Sequence, residues 1–448
     1  MSEDARLDEF VQAKSEQNSG SEWNESKLED LLSELLTGSR PTGGGLDEGE
    51  YISIGGTQVN SGGYIDLHDL VYIPEDYFEK VRETQLQKHD ILVVKDGANT
   101  GDVAIAWESD DCIVTNEHLF TLRADSSINS PYLFYFLLSH QGWKQINGTI
   151  TGSAQEGINR GFTGKVSVQY PPLSKQRKIA TVLYTVDQAI EKAEEIRTRI
   201  QCVRDGVRQD VFLYGIPNSE TERTDGELKE TYLGAVPEDW QLHRVDEVCS
   251  HVVDCPHSTP NYSDEGTPVV RTSEIEDGRY YPAESPRVDE EGYQKRISRL
   301  EPKPGDVVFT REAPIGESFK ISEGMKLCLG QRLMQLRPKE DVLDADFLIE
   351  LLYSDMMQKW FERSARGSTS THVNVGDIES MKIPVPPIDE QHRIMDVLGG
   401  FREQLDSERN LLSRYKRLKR GLMQDLLSGR VRTTDTNIEV PEEITQYG

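Results

Sequence analysis

Pro171-Pro172-Leu173-Ser174-Lys175-Gln176-Arg177-Lys178-Ile179 and Pro386-Pro387-Ile388-Asp389-Glu390-Gln391-His392-Arg393-Ile394 are two copies of one segment, 215 positions apart. The register continues without a gap to Asp210 over Asp425, and Pro171, Pro172, Gln176, Ile179, Val182, Leu183, Arg199, Gly206, Gln209 and Asp210 each meet their own kind. A match of that length at one offset is an internal duplication. Upstream, Gly152-Ser153 falls on Gly367-Ser368, Asn159 on Asn374, Leu133 on Leu348 and Gly101 on Gly316 at the same offset. Leu122-Arg123 falls on Leu336-Arg337 at 214, and Trp23 on Trp240 at 217. Small drifts of offset mean short loop insertions, so each half is one globular domain followed by one long helix. Whatever the molecule does, it is built to do it twice.

The Pro-Pro dipeptides disfavour helix in the residue before them, and Ser174 or Asp389 is expected to cap the free N–H groups of the helix that follows. In the first helix Val182, Val186, Ala189, Ala193, Ile196, Ile200, Val203 and Val207 alternate steps of four and three, the seam of a coiled coil. In the second, Val397, Phe401, Leu411, Tyr415, Leu418 and Leu422 hold matching positions, with Gln404 and Glu408 interrupting the seam and Leu405 beside it. Some thirty-five helical residues reach roughly 50 Å. Neither helix buries such a seam alone, and each is expected to pair antiparallel with the other; the alternative is that each folds back on its own domain. A glycine inside a helix costs about 1 kcal/mol, so Gly206 and Gly421 at one place in both copies predict a close helix crossing. Gln209-Asp210 and Gln424-Asp425 are surface polar residues or a docking point for another subunit.

A length of 448 residues suits two ordinary domains with connectors. The chain shows no signal peptide and no apolar run long enough for a bilayer, which predicts a cytoplasmic protein. Five scattered cysteines (112, 202, 249, 255, 328) argue against a disulfide framework and read as reduced, buried apolar groups. The formal net charge of -28 is contrary to the basic balance of most nucleic-acid binders. Its distribution is uneven: residues 1–50 carry thirteen acidic against four basic groups, whereas 173–215 carries six against eight and 388–432 seven against ten. The acid sits on tails and linkers, which leaves room for a local basic groove. An acidic, lysine-poor surface also fits a halophilic-type composition, in which a hydrated surface keeps the protein soluble in high salt.

The globular parts read as mixed α and β. Asp90–Val94 and Asp306–Thr310 are strand-like and run into glycine-containing turns at 97–101 and 313–316, while 131–139 and 345–354 are apolar and helix-like. Polar loops follow at 148–155 and 366–374, with donors and acceptors suited to phosphates or base edges. They differ between the halves, so two reading ends would read different sequences. Enzyme signatures are missing. Gly157–Val166 lacks the glycine spacing and the Ser/Thr of a phosphate loop, and Tyr170 and Val385 stand before the Pro-Pro dipeptides where an amino-methyltransferase has Asn or Asp. Cys249, His251, Cys255 and His257 do not have the spacing of common zinc modules and read as packing or turn residues; no metal site is assigned.

The repeated Pro-Pro-[Leu/Ile]-x-x-Gln opening, each copy after a globular domain, resembles the specificity subunit of type I restriction-modification enzymes. Asp254-Cys255-Pro256-His257-Ser258-Thr259-Pro260, Trp240 and Ala313-Pro314-Ile315-Gly316 are similar to that family's landmarks in the second half. The first half has Gly38-Ser39-Arg40-Pro41-Thr42-Gly43 in place of the Asp-x-x-His loop. The resemblance implies an α+β fold with two tandem mixed α/β target-recognition domains (23–172 and 236–387), each followed by a long helix (173–215 and 388–430), the helices pairing as an antiparallel coiled coil. An acidic extension (1–22), a linker (216–235) and an acidic tail (431–448) complete the chain.

On this resemblance the chain is a non-catalytic DNA-recognition subunit. Each domain reads one half of a bipartite asymmetric site in double-stranded DNA, and the helix pair sets the spacer; half-sites one turn apart are separated by roughly 34 Å. The partners are two methyltransferase (modification) subunits and the motor-nuclease (restriction) subunits. No cofactor is expected on this chain; S-adenosylmethionine, ATP and magnesium belong to the partners. Candidate DNA contacts, by residue type, are Arg40, Lys95, Gln155, Asn159 and Arg160 in the first domain and His257, Thr259, Arg271, Arg311, Arg332, Arg366, Ser368 and Thr369 in the second. The helix-pair and subunit interface comprises Val182, Val186, Ile196, Ile200, Val203, Gly206, Val397, Phe401, Leu411, Tyr415, Leu418 and Gly421. A coiled-coil scaffold joining two protein-binding domains would also explain the duplication, and differs in lacking salt-dependent DNA affinity.

Overall fold

The computed structural model describes residues 23–40, 44–151, 157–216, 228–282, 285–312, 314–365, 372–431 and 438–445. It contains two compact units, one of residues up to Ala193 and from Leu411 onward, the other Glu194–Asn410. The division falls inside the long helices, so each unit consists of one globular domain and a part of both helices.

The first unit is organised by an antiparallel sheet of β1 (Leu32–Leu36), β2 (Ile91–Val94), β3 (Val103–Ile105) and β4 (Leu119–Ala124), in the order β1-β4-β2-β3. A three-stranded sheet sets Tyr51–Ile54 antiparallel to Val71–Ile73 and parallel to Ile113–Thr115, and Asn24–Lys27 pairs with Ser167–Tyr170. The second unit repeats this plan. Its main sheet of β5 (Cys249–Asp254), β6 (Val307–Thr310), β7 (Ser318–Lys320) and β8 (Leu333–Pro338) has the order β5-β8-β6-β7. Thr267–Val270 lies between Arg287–Val288 (antiparallel) and Cys328–Leu329 (parallel), and Gln241–Arg244 pairs with Lys382–Val385. The strands expected around 90–94 and 306–310 are β2 and β6, fully buried as continuous apolar runs require. The turns that follow use Gly101 and Gly316, both at φ 92. A Cβ at Gly101 would stand 2.6 Å from Asn147 Oδ1, so backbone conformation and space both call for glycine there.

The apolar stretches form the helices Ser130–Leu138 and Ala345–Leu352, capped by Asn129 (from Tyr132 N, 3.1 Å) and Asp344 (from Phe347 N, 2.9 Å). These caps explain the glutamine of the repeated segment. Gln176 Oε1 accepts from the Asn129 N–H at 2.8 Å and its Nε2 donates to the Pro171 carbonyl at 2.8 Å. Gln391 does the same with Asp344 N (2.8 Å) and the Pro386 carbonyl (2.9 Å), and adds the Val342 carbonyl at 2.8 Å. Each glutamine is buried and ties the start of a long helix to the cap of a domain helix, satisfying backbone groups that water cannot reach.

The long helices are α1 (Leu173–Tyr214) and α2 (Ile388–Leu427), of 42 and 40 residues. Each begins one residue before the expected cap, so Ser174 and Asp389 lie within the first turn; the first N–H groups bond to the carbonyls of Pro172 and Pro387. The pairing is antiparallel. In the first unit Ile190 and Ala193 of α1 pack with Leu412 and Tyr415 of α2, and Asp187 pairs with Lys419 at 2.7 Å. In the second unit Val211 and Phe212 of α1 share a core with Ile394 and Leu398 of α2.

Apart from Ala193, which belongs to the expected seam and is buried, the buried face is displaced from that seam by one residue. Leu183, Asp187, Ile190, Arg204, Arg208 and Val211 face inward on α1, as do Ile394, Leu398, Leu405, Leu412, Met423 and Leu426 on α2. Ile196 (39 %), Val203 (55 %), Val397 (41 %) and Leu418 (49 %) are exposed, and Val182, Val186, Ile200, Phe401, Leu411 and Tyr415 are half-buried. Charged groups on the inner face are paired inside the fold. Arg204 meets Asp277 at 2.8 Å, Arg208 meets Glu350 at 2.9 Å, and Arg402 meets Glu350 at 2.7 Å. A count of apolar residues passes over such positions. Gly206 and Gly421 are also exposed with open space where a Cβ would stand, so neither marks a close crossing.

Candidate functional site

The loops at the ends of β2 and β4, and of β6 and β8, are the most chemically loaded parts of the two units. In the first unit Lys95 N donates to the His118 carbonyl (2.8 Å), Ile158 N donates to the Lys95 carbonyl (2.8 Å), and Asp96 bridges to Gly157. This brings four ionisable side chains together. His118 Nδ1 pairs with Asp96, His118 Nε2 lies 3.5 Å from Glu117 Oε1, and the same Glu117 oxygen holds Arg40 Nε at 2.9 Å. They stand at the rim of a cleft of about 480 Å³ lined also by Gly55, Gln58 and Asn99. Asn99 Nδ2 bonds to the carbonyls of Gly56 and Val59, each at 3.2 Å, and so fixes one wall.

The second unit builds the same frame. Arg311 N donates to the Arg332 carbonyl (3.1 Å), Val373 N donates to the Arg311 carbonyl (2.9 Å), and Glu312 bridges to His372. Position by position, Lys95 corresponds to Arg311, Asp96 to Glu312, His118 to Arg332 and Glu117 to Gln331. The chemistry differs. Arg332 Nε pairs with Glu312 Oε2 at 2.9 Å, and Arg311 Nη2 approaches the other Glu312 oxygen at 3.5 Å. Gln331 Nε2 donates to the His257 carbonyl and to Thr259 Oγ1 (3.2 Å). His257 Nε2 in turn reaches Asp254 Oδ2 at 2.8 Å. Arg271 follows Val270, whose carbonyl accepts from Gly330 N at 2.8 Å, and its guanidinium is held by Glu274 at 2.7 Å.

Among the second-domain candidates, His257 and Thr259 meet at Gln331, and Arg311 and Arg332 meet at Glu312, the two groups being joined at Gln331-Arg332; the Arg271 guanidinium is engaged by Glu274. Arg311 is buried, with Nη1 near the Val373 carbonyl, and is placed to hold Glu312 rather than to present its own side chain. In the first domain Arg40 and Lys95 belong to the cluster. Lys95 Nζ lies over the Phe120 ring at 5.7 Å and Arg40 is mostly exposed. Asn159 turns its side chain to the Gly161 N–H (3.0 Å), and Arg160 donates to the Leu35 carbonyl; both are exposed. Gln155, Arg366, Ser368 and Thr369 lie outside the described residues.

Residue type alone did not single out Asp96, Glu117, His118, Glu312 or Gln331. A signal existed for His118: the offset of 214 that matches Leu122-Arg123 with Leu336-Arg337 also sets His118 on Arg332. The carboxylates act by orienting cations, which residue type does not reveal.

The cysteine and histidine cluster separates along β5. Cys249 and Cys255 are buried at its two ends, with burial pushing the Cys249 thiol up to about 12 and raising that of Cys255. His251 is exposed beside Ser250, and His257 is engaged by Asp254. Burial likewise pushes the Cys328 thiol up to about 11. Cys202, expected inside, is exposed on α1. Among the described residues no helix is long and apolar enough to cross a membrane.

The chain thus holds two copies of one frame, each ending in a different polar cluster and each continuing into a long helix. The sequence model of the type I restriction modification DNA specificity domain matches twice, over residues 20–201 and 237–416, and the chain belongs to that family. It is similar to a putative type I restriction enzyme specificity subunit of Methanocaldococcus jannaschii, MjaX (24 % identical, over 92 % of this chain and 94 % of the relative). It is also similar to the EcoKI specificity subunit of Escherichia coli (22 % identical, 86 % and 83 %). The fold is that of the crystal structure of the S subunit of a type I restriction-modification system from M. genitalium, with a TM-score of 0.56 at 15 % identity, covering 92 % of this chain and 97 % of that one. The chain is thus a specificity subunit, not itself an enzyme, and needs no cofactor of its own.

Proposed function

We propose that this chain gives a type I restriction-modification complex its DNA sequence specificity, each domain reading one half of a bipartite asymmetric site in double-stranded DNA. The observation that carries this reading is the pair of equivalent clusters: His118, Asp96, Arg40 and Glu117 on one frame, Arg332, Glu312, His257 and Gln331 on the other. Base edges in the major groove are distinguished by side-chain donors and acceptors, so one frame with two donor–acceptor sets reads two different half-sites. The net charge of -28 does not oppose this, because phosphate contacts need only local cations. The α1–α2 pair then sets the unread spacer.

The helices also dock the modification subunits. Arg199, Gly206, Gln209 and Asp210 on α1 have identical counterparts in Arg414, Gly421, Gln424 and Asp425 on α2, and Val203 corresponds to Leu418. All but the half-buried Asp425 are exposed. Buried positions keep their identity for packing; exposed ones that match in both copies fit one partner bound twice. The two modification subunits would supply methyl transfer to adenine, and the motor-nuclease subunits cleavage. The test is methylation mapping by long-read sequencing of DNA from cells expressing the chain with its modification subunit. A split motif methylated on both strands only when this chain is present is expected; an unchanged methylation pattern in an active host rejects the reading.

A further inference from the structure

Among the described residues, Arg332 is one of four non-glycine residues with positive φ, at 70°. A left-handed backbone is uncommon for a long side chain and persists only where the surroundings fix it. The surroundings do so here. The Arg332 carbonyl accepts from Arg311 N, Gly330 N on one side donates to the Val270 carbonyl, and the Leu333 carbonyl on the other accepts from Cys255 N at 3.0 Å. The side chain is nonetheless 58 % exposed, and its Nε is held by Glu312 at 2.9 Å. Glu312 is itself steadied from behind by the buried Arg311. The outcome is a guanidinium braced at Nε on a side chain that stays more than half exposed. No packing argument requires an arginine at a left-handed position that glycine would fill without strain. A reading role does, because arginine's rigid fork matches the two acceptors O6 and N7 of guanine.

We propose that Arg332 is a base-reading residue of the second domain and that it recognises a guanine of its half-site. This rests on the DNA-specificity reading above. His118 holds the same place in the first domain, paired with Asp96 as Arg332 is with Glu312, so the position itself is where the two domains diverge in specificity.

The test uses the full chain assembled with its modification subunits. Equilibrium binding is measured at fixed salt to duplexes carrying the motif that the wild-type complex methylates, substituted one base pair at a time. The wild type is expected to lose on the order of 10- to 100-fold in affinity at one particular G·C pair. In Arg332→Gly, which suits the left-handed backbone, that discrimination falls to near unity while every other position keeps its own. Arg332→Gln keeps a long polar side chain without the guanidinium and loses the same discrimination. The proposal is overturned if Arg332→Gly and Arg332→Gln leave all discriminations intact, or if Arg332→Gly weakens every duplex by one factor, the mark of a phosphate contact. Thermal melting of both variants checks the fold; should Arg332→Gly not melt cooperatively, Arg332→Gln decides by itself. A wild-type complex that discriminates no base pair would instead reject the DNA-specificity reading.

Discussion

In the first domain Asp90, buried at the start of β2, takes Arg123 through Nε–Oδ1 at 3.0 Å; in the second, Asp306 takes Arg337 in the same way at 2.7 Å. Gln176 and Gln391 make equivalent staples, and the sheets have equivalent strand orders. At the loop ends the likeness stops: Glu117 and His118 stand where Gln331 and Arg332 stand. A group buried in the frame has a fixed partner, and changing either leaves the other unsatisfied. A loop side chain facing solvent has no such obligation, so the clusters diverged while the frame did not.

The helix contacts give the sharpest way to break that comparison. Glu350 holds both Arg208 and Arg402, whereas in the first unit Asp187 holds Lys419 and the Tyr135 hydroxyl. Glu350→Ala breaks two guanidinium pairs at once, leaving Arg208 to Asp205 and Arg402 to Asp346, and is expected to cost about 3 kcal/mol. Asp187→Ala strands one flexible ammonium and a hydroxyl and should cost about 2 kcal/mol. Chemical denaturation compares them, and equal costs would show that the two helix contacts are energetically alike after all.

The glutamine staples come next. Gln176→Leu and Gln391→Leu each leave a buried backbone N–H and carbonyl unpaired, a loss of about 2–3 kcal/mol. Gln391 should be the costlier because it also serves the Val342 carbonyl. A greater loss for Gln176→Leu by urea unfolding would contradict the bond count.

On the exposed faces, Val203→Asp and Leu418→Asp should each change the stability of the free chain by less than about 0.5 kcal/mol. Each should nevertheless remove one modification subunit from the complex, and the double variant both. Native mass spectrometry reads this directly; full assembly of the double variant would show that these faces are not the docking surface.

The smallest effect belongs to a feature of the first unit. His89 Nε2 pairs with the Glu443 carbonyl at 2.7 Å, and burial lowers the imidazole pKa below its ordinary 6.5. The unfolded chain therefore takes up a proton below about pH 6.5 that the folded chain resists, and this contribution to stability falls with falling pH until the lowered folded value is reached. The equivalent turn in the second unit has Gly305, which does not titrate. His89→Asn should flatten the decline in melting temperature as the pH falls below about 6.5; an undiminished slope would place the titration elsewhere.

Much of this was legible in the residues. The duplication, the mixed domains, both long helices and the strands at β2 and β6 follow from identity at one offset and from local apolar pattern. The seam was displaced by one residue because Asp187, Arg204 and Arg208 look like solvent-facing charge until their partners are known. Of the candidate contacts, four in the second domain (His257, Thr259, Arg311 and Arg332) come together, since arginine and polar loop residues flank the strand ends that form the cluster. His118 and the orienting carboxylates escaped notice because residue type by itself gives no partner.

By itself the sequence determined that there are two copies of one domain, that each leads into a long helix at Pro-Pro, and that the copies differ in their polar loops, since these are matters of identity and period along the chain. Only the tertiary structure decided which helix face is buried, that Gly206 and Gly421 stand in open space, and that Arg332 is braced by Glu312 while His118 is braced by Asp96. Those depend on pairs of groups far apart in the chain, and the burial of a charge is settled by its partner rather than by its own type.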